Sequence, residues 1–291
     1  MTRRALGLWL ALVFALGSIA SFSARADDTP APPPLTDQAE RSRVKEELAS
    51  GDNDRVNAAV QEVKNSALGT SDTRKRQRPQ DLQLLIAAGK TDEAQSIAMD
   101  GIMANIATNS YAVGGFQAIR AKALLADKKN DEALAAAKAY YNVCAMRSND
   151  DAIKVVTQCL AAAHPDDQDI VERFKREQSG SGPTTQPGAD ADPTPLVLST
   201  VQVDPGPFEQ AIESNPGGNY EQLAAKGNLL LLVDKPKDAL QIFLQAIDSA
   251  DERHLGEAFE NVARAIRAQS GSIGAANAYL QGIKDKAKQV G

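Results

Sequence analysis

Two histidines, two cysteines and 38 carboxylates are the side chains of this 291-residue chain that could do acid–base, nucleophilic or metal chemistry. Their spacing organises none of it. His164 and His254 lie far apart, each beside a helix end, and His164 directly precedes Pro165, where an imidazolium complements a helix C-terminus. No HExxH, CxxC, CxxCH, GxSxG or phosphate-loop glycine pattern occurs, and a serine nucleophile would have only these two histidines as bases. Asp150-Asp151 and Asp166-Asp167 fall at helix starts, where acids offset the dipole, so capping is the simpler reading. The chain is expected not to be an enzyme, with no cofactor and no metal.

Cys144 and Cys159 are the only thiols. A hairpin turn near Ser148 would offset them along the helix axes by roughly 10 Å, beyond the reach of a disulfide, which favours two buried free thiols. A turn placed elsewhere would reopen the bridge. Arg74-Lys75-Arg76-Gln77-Arg78 is the one strong basic cluster. It reads as a solvated loop, with docking of an anionic partner as the alternative, and without interleaved aromatics it makes no case for nucleic acid.

The elements around these residues are helical. At 43% hydrophobic and 24% charged the chain is too apolar to be disordered throughout, and 4% aromatic is low for a sandwich or barrel. Met1–Arg4, the apolar run Ala5–Ala20 and Ala24-Arg25-Ala26 have the basic, apolar and small-x-small pattern of a cleaved signal peptide, residues 1–26. An apolar run of about 16 is short for a transmembrane helix, and no later segment reaches 18, so a periplasmic or extracellular location without a transmembrane segment is expected. Cleavage removes Arg3, Arg4, Arg25 and the only tryptophan, moving the net charge from −6 to −9. That balance opposes phosphate-driven nucleic-acid binding.

Residues 27–35 form a Pro-rich tether with little to bury, and residues 178–206 a linker in which Gly, Pro, Ser and Thr dominate. Between and beyond them lie an N-terminal block, 36–177, and a C-terminal block, 207–291. Both carry apolar residues at spacings of three and four with abundant alanine, which predicts helices near 38–49, 53–67, 80–88, 91–107, 112–127, 130–146, 149–163, 167–177, 207–214, 219–233, 236–248, 254–269 and 272–287. Asp131, Asn149, Asp166 and Asp251 are N-cap candidates. Leu196–Val203 reads as an extended segment laid along the helices.

A hexapeptide turn recurs: Gly89-Lys-Thr-Asp-Glu-Ala94, Lys128-Lys-Asn-Asp-Glu-Ala133, Asp234-Lys-Pro-Lys-Asp-Ala239, more loosely Gly271–Ala276, and faintly Gly51–Val56. In chain order the steps between copies are 38, 39, 106 and 37 residues. A period of that size predicts helical hairpins that cannot bury their apolar faces alone and must stack. In the unit Tyr220–Asp251, Leu223, Gly227, Leu230, Ala239, Phe243 and Ala246 place small and large residues where two helices must approach closely.

This pattern resembles the tetratricopeptide-repeat (TPR) family, with a period longer than that family's 34 residues and the first-helix aromatic kept only as Phe259. The resemblance implies an all-α helical-hairpin solenoid in two blocks. It also implies a concave groove, lined by the first helices, that takes a protein or peptide partner. By position it assigns Gln83, Lys122, Asn228, Asn261, Arg264 and Arg267 to that groove. The carboxylate clamp of the chaperone-binding members is not reproduced, because Ala224 and Ala225 hold neighbouring positions. The expected function is an exported protein-interaction scaffold; the alternative is an envelope-associated spacer without a defined peptide ligand.

Overall fold

The computed structural model describes residues 35, 38–69, 77–106, 110–146, 149–178, 205–271 and 273–290, and Pro34–Gly291 forms one compact unit. The signal-peptide pattern, the basic residues 74–76, the linker residues 179–204 and the Leu196–Val203 segment lie outside the described residues. Among the described residues there are thirteen α-helices and no strand. They are α1 (Gln38–Leu48), α2 (Asn53–Leu68), α3 (Gln83–Ala87), α4 (Thr91–Asn105), α5 (Ser110–Ala126), α6 (Asn130–Val143), α7 (Asn149–Ala163), α8 (Gln168–Gln178), α9 (Pro205–Ser214), α10 (Tyr220–Leu232), α11 (Pro236–Asp248), α12 (Leu255–Ser270) and α13 (Ile273–Val290). A 3-10 turn, Pro79–Leu82, precedes α3. None of these helices is long and apolar enough to cross a membrane.

The turn hexapeptide is a structural repeat. The first residue of every copy adopts a left-handed backbone: Gly51, Gly89, Lys128, Asp234 and Gly271 have φ of 72°, 74°, 60°, 56° and 70°. The next residue then closes the preceding helix in three of them, as the N–H of Lys90, Lys129 and Lys235 donates to Leu85, Leu124 and Leu230 carbonyls at 2.9, 3.0 and 2.8 Å. The carbonyls of those same lysines accept from Ala94, Ala133 and Ala239 N–H and open the following helix. One residue thus ends one helix and begins the next. For this reason Asp131 sits in the first turn of α6, whose N-cap is Lys129, and is not itself the cap. Likewise Asp167, not Asp166, accepts the Ile170 N–H at the start of α8.

A lysine at a left-handed position carries a Cβ penalty of roughly 1–2 kcal/mol. Lys128→Gly is therefore expected to raise stability by about 0.5–1 kcal/mol, after the entropy gained by the unfolded chain is set against it. Chemical denaturation of the two proteins measures this, and a loss of stability would contradict the reading.

Successive helices pack as neighbours: α4 on α5, α5 on α6, α6 on α7, α7 on α8, and again α10 on α11, α11 on α12, α12 on α13. The closing residues of the turns, Ala94, Ala133, Ala239 and Ala276, are all fully buried, since only a methyl group fits where adjacent helices converge. Leu223, Gly227, Leu230, Ala239, Phe243 and Ala246 are likewise buried. Two structural differences from the sequence reading stand out. Leu35, at the end of the Pro-rich stretch, is buried and donates its N–H to Ser66 Oγ at 3.4 Å. The helix expected at 80–88 begins as the 3-10 turn because Asp81, whose carboxylate is buried, turns inward to Arg41, Arg78 and Ser66.

Candidate functional site

Hairpins joined by the repeated turn have α1, α3, α5, α10 and α12 as first helices, and α7 opens the irregular hairpin with α8. Three of these first helices, α3, α5 and α7, meet around a cleft of about 540 Å³. The 3-10 turn supplies Gln80 and, just ahead of it, Gln77; α3 supplies Gln83 at its first position; α5 supplies Lys122. From α7 come Asp151, Lys154, Val155 and Gln158, at the i, i+3, i+4, i+7 spacing of one helix face.

The cleft is open because α5 puts Ala112, Gly114, Gly115 and Ala118 on its floor. A Cβ at Gly114 would stand 3.0 Å from the Tyr140 ring, and one at Gly115 would stand 3.2 Å from Pro79. Side chains there would both collide and fill the space. The turn that carries the glutamines is held by the Asp81 carboxylate, which accepts from Ser66 Oγ at 2.6 Å and pairs with Arg41 and with Arg78 at 3.4 Å. The last arginine of the basic run thus braces the cleft rim.

The rim is polar. Four primary amides, two ammonium groups and one carboxylate surround an apolar floor. Lys154 lies 3.5 Å from Asp151, both on the surface. The Gln77 Oε1 is buried without a hydrogen-bond partner, so a donor arriving in the cleft would relieve an acceptor already stripped of water. Cys144 reaches the same cleft, but burial raises its thiol pKa, with Arg267 opposing the shift, and Cys159 is pushed up to about 11 by burial; both are free thiols. Neither is poised as a nucleophile. Among the described residues no group of three or more His, Cys, Asp and Glu is placed to hold a metal. His164 is exposed at the end of α7, and His254 stacks on Tyr220 and contacts Asp251 at 2.6 Å, away from the cleft. Amides, ammoniums and an apolar floor supply hydrogen bonds, positive charge and apolar contact.

The six groove residues read from the sequence divide between two places. Gln83 and Lys122 line the cleft. Asn228, Asn261, Arg264 and Arg267 come together elsewhere, on the α10 and α12 faces, and all four are buried, with Arg264 1% and Arg267 0% exposed. What covers them is α6, which packs against both α10 and α12. Arg264 donates to the Val143 carbonyl at 2.6 Å and to Asn228 Oδ1 at 2.9 Å, and it also contacts Asn261. Arg267 donates to Asn142 and Cys144 carbonyls at 3.3 and 3.0 Å, to the Tyr141 carbonyl, and to Asn149 Oδ1 at 3.2 Å. Its guanidinium lies 4.6 Å from the Tyr141 ring centre.

These are the carbonyls that a helix leaves without partners at its C-terminus, and two cations suit the negative end of the α6 dipole. No carboxylate stands within ion-pair distance of either arginine among the described residues, and burial lowers the Arg264 guanidinium to about 10. Asn228 performs the same office for α4, its Nδ2 donating to the Ile106 carbonyl at 3.1 Å. Asn228, Arg264 and Arg267 hold the chain's own helix ends, Asn261 accepts from Arg264, and all four are buried.

The sequence reading overlooked Gln77, Gln80, Lys154 and Gln158. The α7 stripe was legible as a polar helix face; that it borders an opening depends on the small residues of α5 and on the neighbouring hairpin. Set against protein-family models, curated proteins and solved structures, the chain matches none.

Proposed function

We propose that this chain is an exported TPR-like scaffold, a solenoid in two repeat blocks, that binds an extended segment of a protein partner in the cleft between α3, α5 and α7. The observation that carries the proposal is the cleft's composition on a first-helix face. Glutamine amides match the donors and acceptors of an extended backbone, the small-residue floor admits apolar side chains, and Lys122 and Lys154 favour a segment bearing acidic groups. Export rests on the basic, apolar and small-x-small pattern of residues 1–26.

The test is affinity capture of the tagged full-length protein from its native compartment, comparing wild type with Lys122→Glu plus Lys154→Glu. Reversing both rim charges is expected to weaken recovery of a specific partner at least tenfold, as like-charge juxtaposition costs several kcal/mol. Thermal stability should hardly change, since neither lysine is buried. Undiminished recovery would remove the cleft assignment.

A further inference from the structure

We propose that Leu35 and Asp81 are positioning residues of the cleft, which set from beneath the turn that carries Gln77, Pro79 and Gln80 to its rim. Neither lines the cleft itself. The proposal rests on the cleft reading for its role, and it extends that reading to residues an occupant does not touch.

The rim turn has little of its own to hold it. Pro79–Leu82 is four residues long, and Arg78 ahead of it makes no side-chain cap. Pro79 has no N–H to give. Two backbone bonds remain, from the Arg78 N–H to the Ala67 carbonyl at 3.1 Å and from the Asp81 N–H to the Arg78 carbonyl at 2.9 Å. The other hold is the Asp81 side chain, which is fully buried and pairs with Arg41 through Oδ1 and with Arg78 through Oδ2.

The groups that hold Asp81 also clasp Leu35. Ser66 Oγ donates to Asp81 Oδ2 at 2.6 Å and accepts the Leu35 N–H at 3.4 Å. Arg41 uses one guanidinium nitrogen for Asp81 and another, Nε, for the Leu35 carbonyl at 3.4 Å. Both bonds to Leu35 are long, so its buried side chain is what keeps the backbone in place. That side chain shares an apolar core with Leu82 of the turn and Leu85 of α3. Leu35 is therefore joined to the rim twice, through the Asp81 carboxylate and through the core.

What the turn positions is exacting. Gln77 brings a buried acceptor without a partner, and Pro79 stands 3.2 Å from where a Cβ on Gly115 would lie. Hydrogen bonds weaken steeply outside a narrow range of distance and angle, so a turn displaced by about 1 Å would take the Gln77 and Gln80 amides out of register with a bound backbone. Loss of the Leu35 side chain should thus alter the cleft from a distance, through Ser66, Arg41 and Asp81.

The geometry is tested without an occupant. Cys144 lines the cleft and Cys159 does not, so in a Cys159→Ala background the rate of N-ethylmaleimide labelling reports access to the cleft. Hydrogen exchange of residues 78–83 reports the turn. Leu35→Ala, Leu35→Met, Asp81→Asn and, as a control destabilised between α10 and α11, Gly227→Ala are compared with the parent, with urea added so that all have equal global stability. Leu35→Ala and Asp81→Asn should raise both rates at least tenfold, and Leu35→Met, which keeps the volume, should restore them. Rates no higher than those of Gly227→Ala overturn the proposal, and if Asp81→Asn does not fold, Leu35→Ala against the control still decides. Affinity capture separates the two claims: Leu35→Ala should recover at least fivefold less partner than Leu35→Met. Loss with the Lys122→Glu, Lys154→Glu protein but none with Leu35→Ala refutes the positioning role alone, whereas undiminished recovery by the lysine variant refutes the cleft reading.

Discussion

Arg267→Ala is expected to destabilise the fold by about 3–5 kcal/mol, the range for removing one member of a buried charged network. The side chain is fully buried, and its loss strands the carbonyls of Tyr141, Asn142 and Cys144 where water does not reach. Arg264→Ala should follow with a smaller loss, since one carbonyl and two asparagine oxygens depend on it. Glutamate at both positions should prevent folding, because two carboxylates would then face the negative end of α6. Urea denaturation followed by circular dichroism measures each step. A midpoint for Arg267→Ala within experimental error of wild type would mean that these arginines are solvated and that α6 does not cover them. The same result would return them to the partner-binding face that the sequence pattern implies.

Gly227→Ala should also be destabilising, against the sign of helix propensity. Alanine is favoured over glycine inside a helix by roughly 1 kcal/mol. At position 227, however, an added Cβ would lie 2.2 Å from Phe243 Cε1, and the Phe243 ring is fully buried with nowhere to move. Overpacking of this kind costs about 1–3 kcal/mol and should exceed the propensity gain. Gly101, whose Cβ would stand 2.5 Å from Phe116, should behave alike, whereas Gly282 on α13 has nothing within 4 Å and should become more stable as alanine. Combining Gly227→Ala with Phe243→Leu should recover part of the loss, and a coupling of at least about 1 kcal/mol in the double-mutant cycle would place the clash on that ring. Stabilisation by Gly227→Ala would contradict the close approach of α10 and α11.

The fate of individual residues shows where sequence reasoning reaches. The turns were legible because the hexapeptide recurs, with a left-handed start in all five copies and a buried alanine closing four of them; Lys128 and Asp234 adopt the same backbone as Gly51, Gly89 and Gly271 although they lack glycine's freedom. Helix pairing followed from the short connections. Asn261, Arg264 and Arg267 were legible as a polar stripe on α12, but periodicity reports which residues share a face and not what lies opposite. Only the packing of α6 across α10 and α12 turns that stripe inward. The cleft was half legible. Gln83 and Lys122 fell on first-helix faces by register, while Gln77 and Gln80 reach the rim through a turn set by Asp81, a long-range contact that no local pattern encodes.

The claim that the cleft, and not the arginine-bearing face, meets the partner is tested most directly by site-specific photo-crosslinking in the native compartment. A photoreactive residue at Gln83 or Lys122 should yield one discrete adduct with another protein. The same residue at Asn228, buried where α6 packs on α10, should yield none. Adducts from position 228 without any from 83 or 122 would contradict the account.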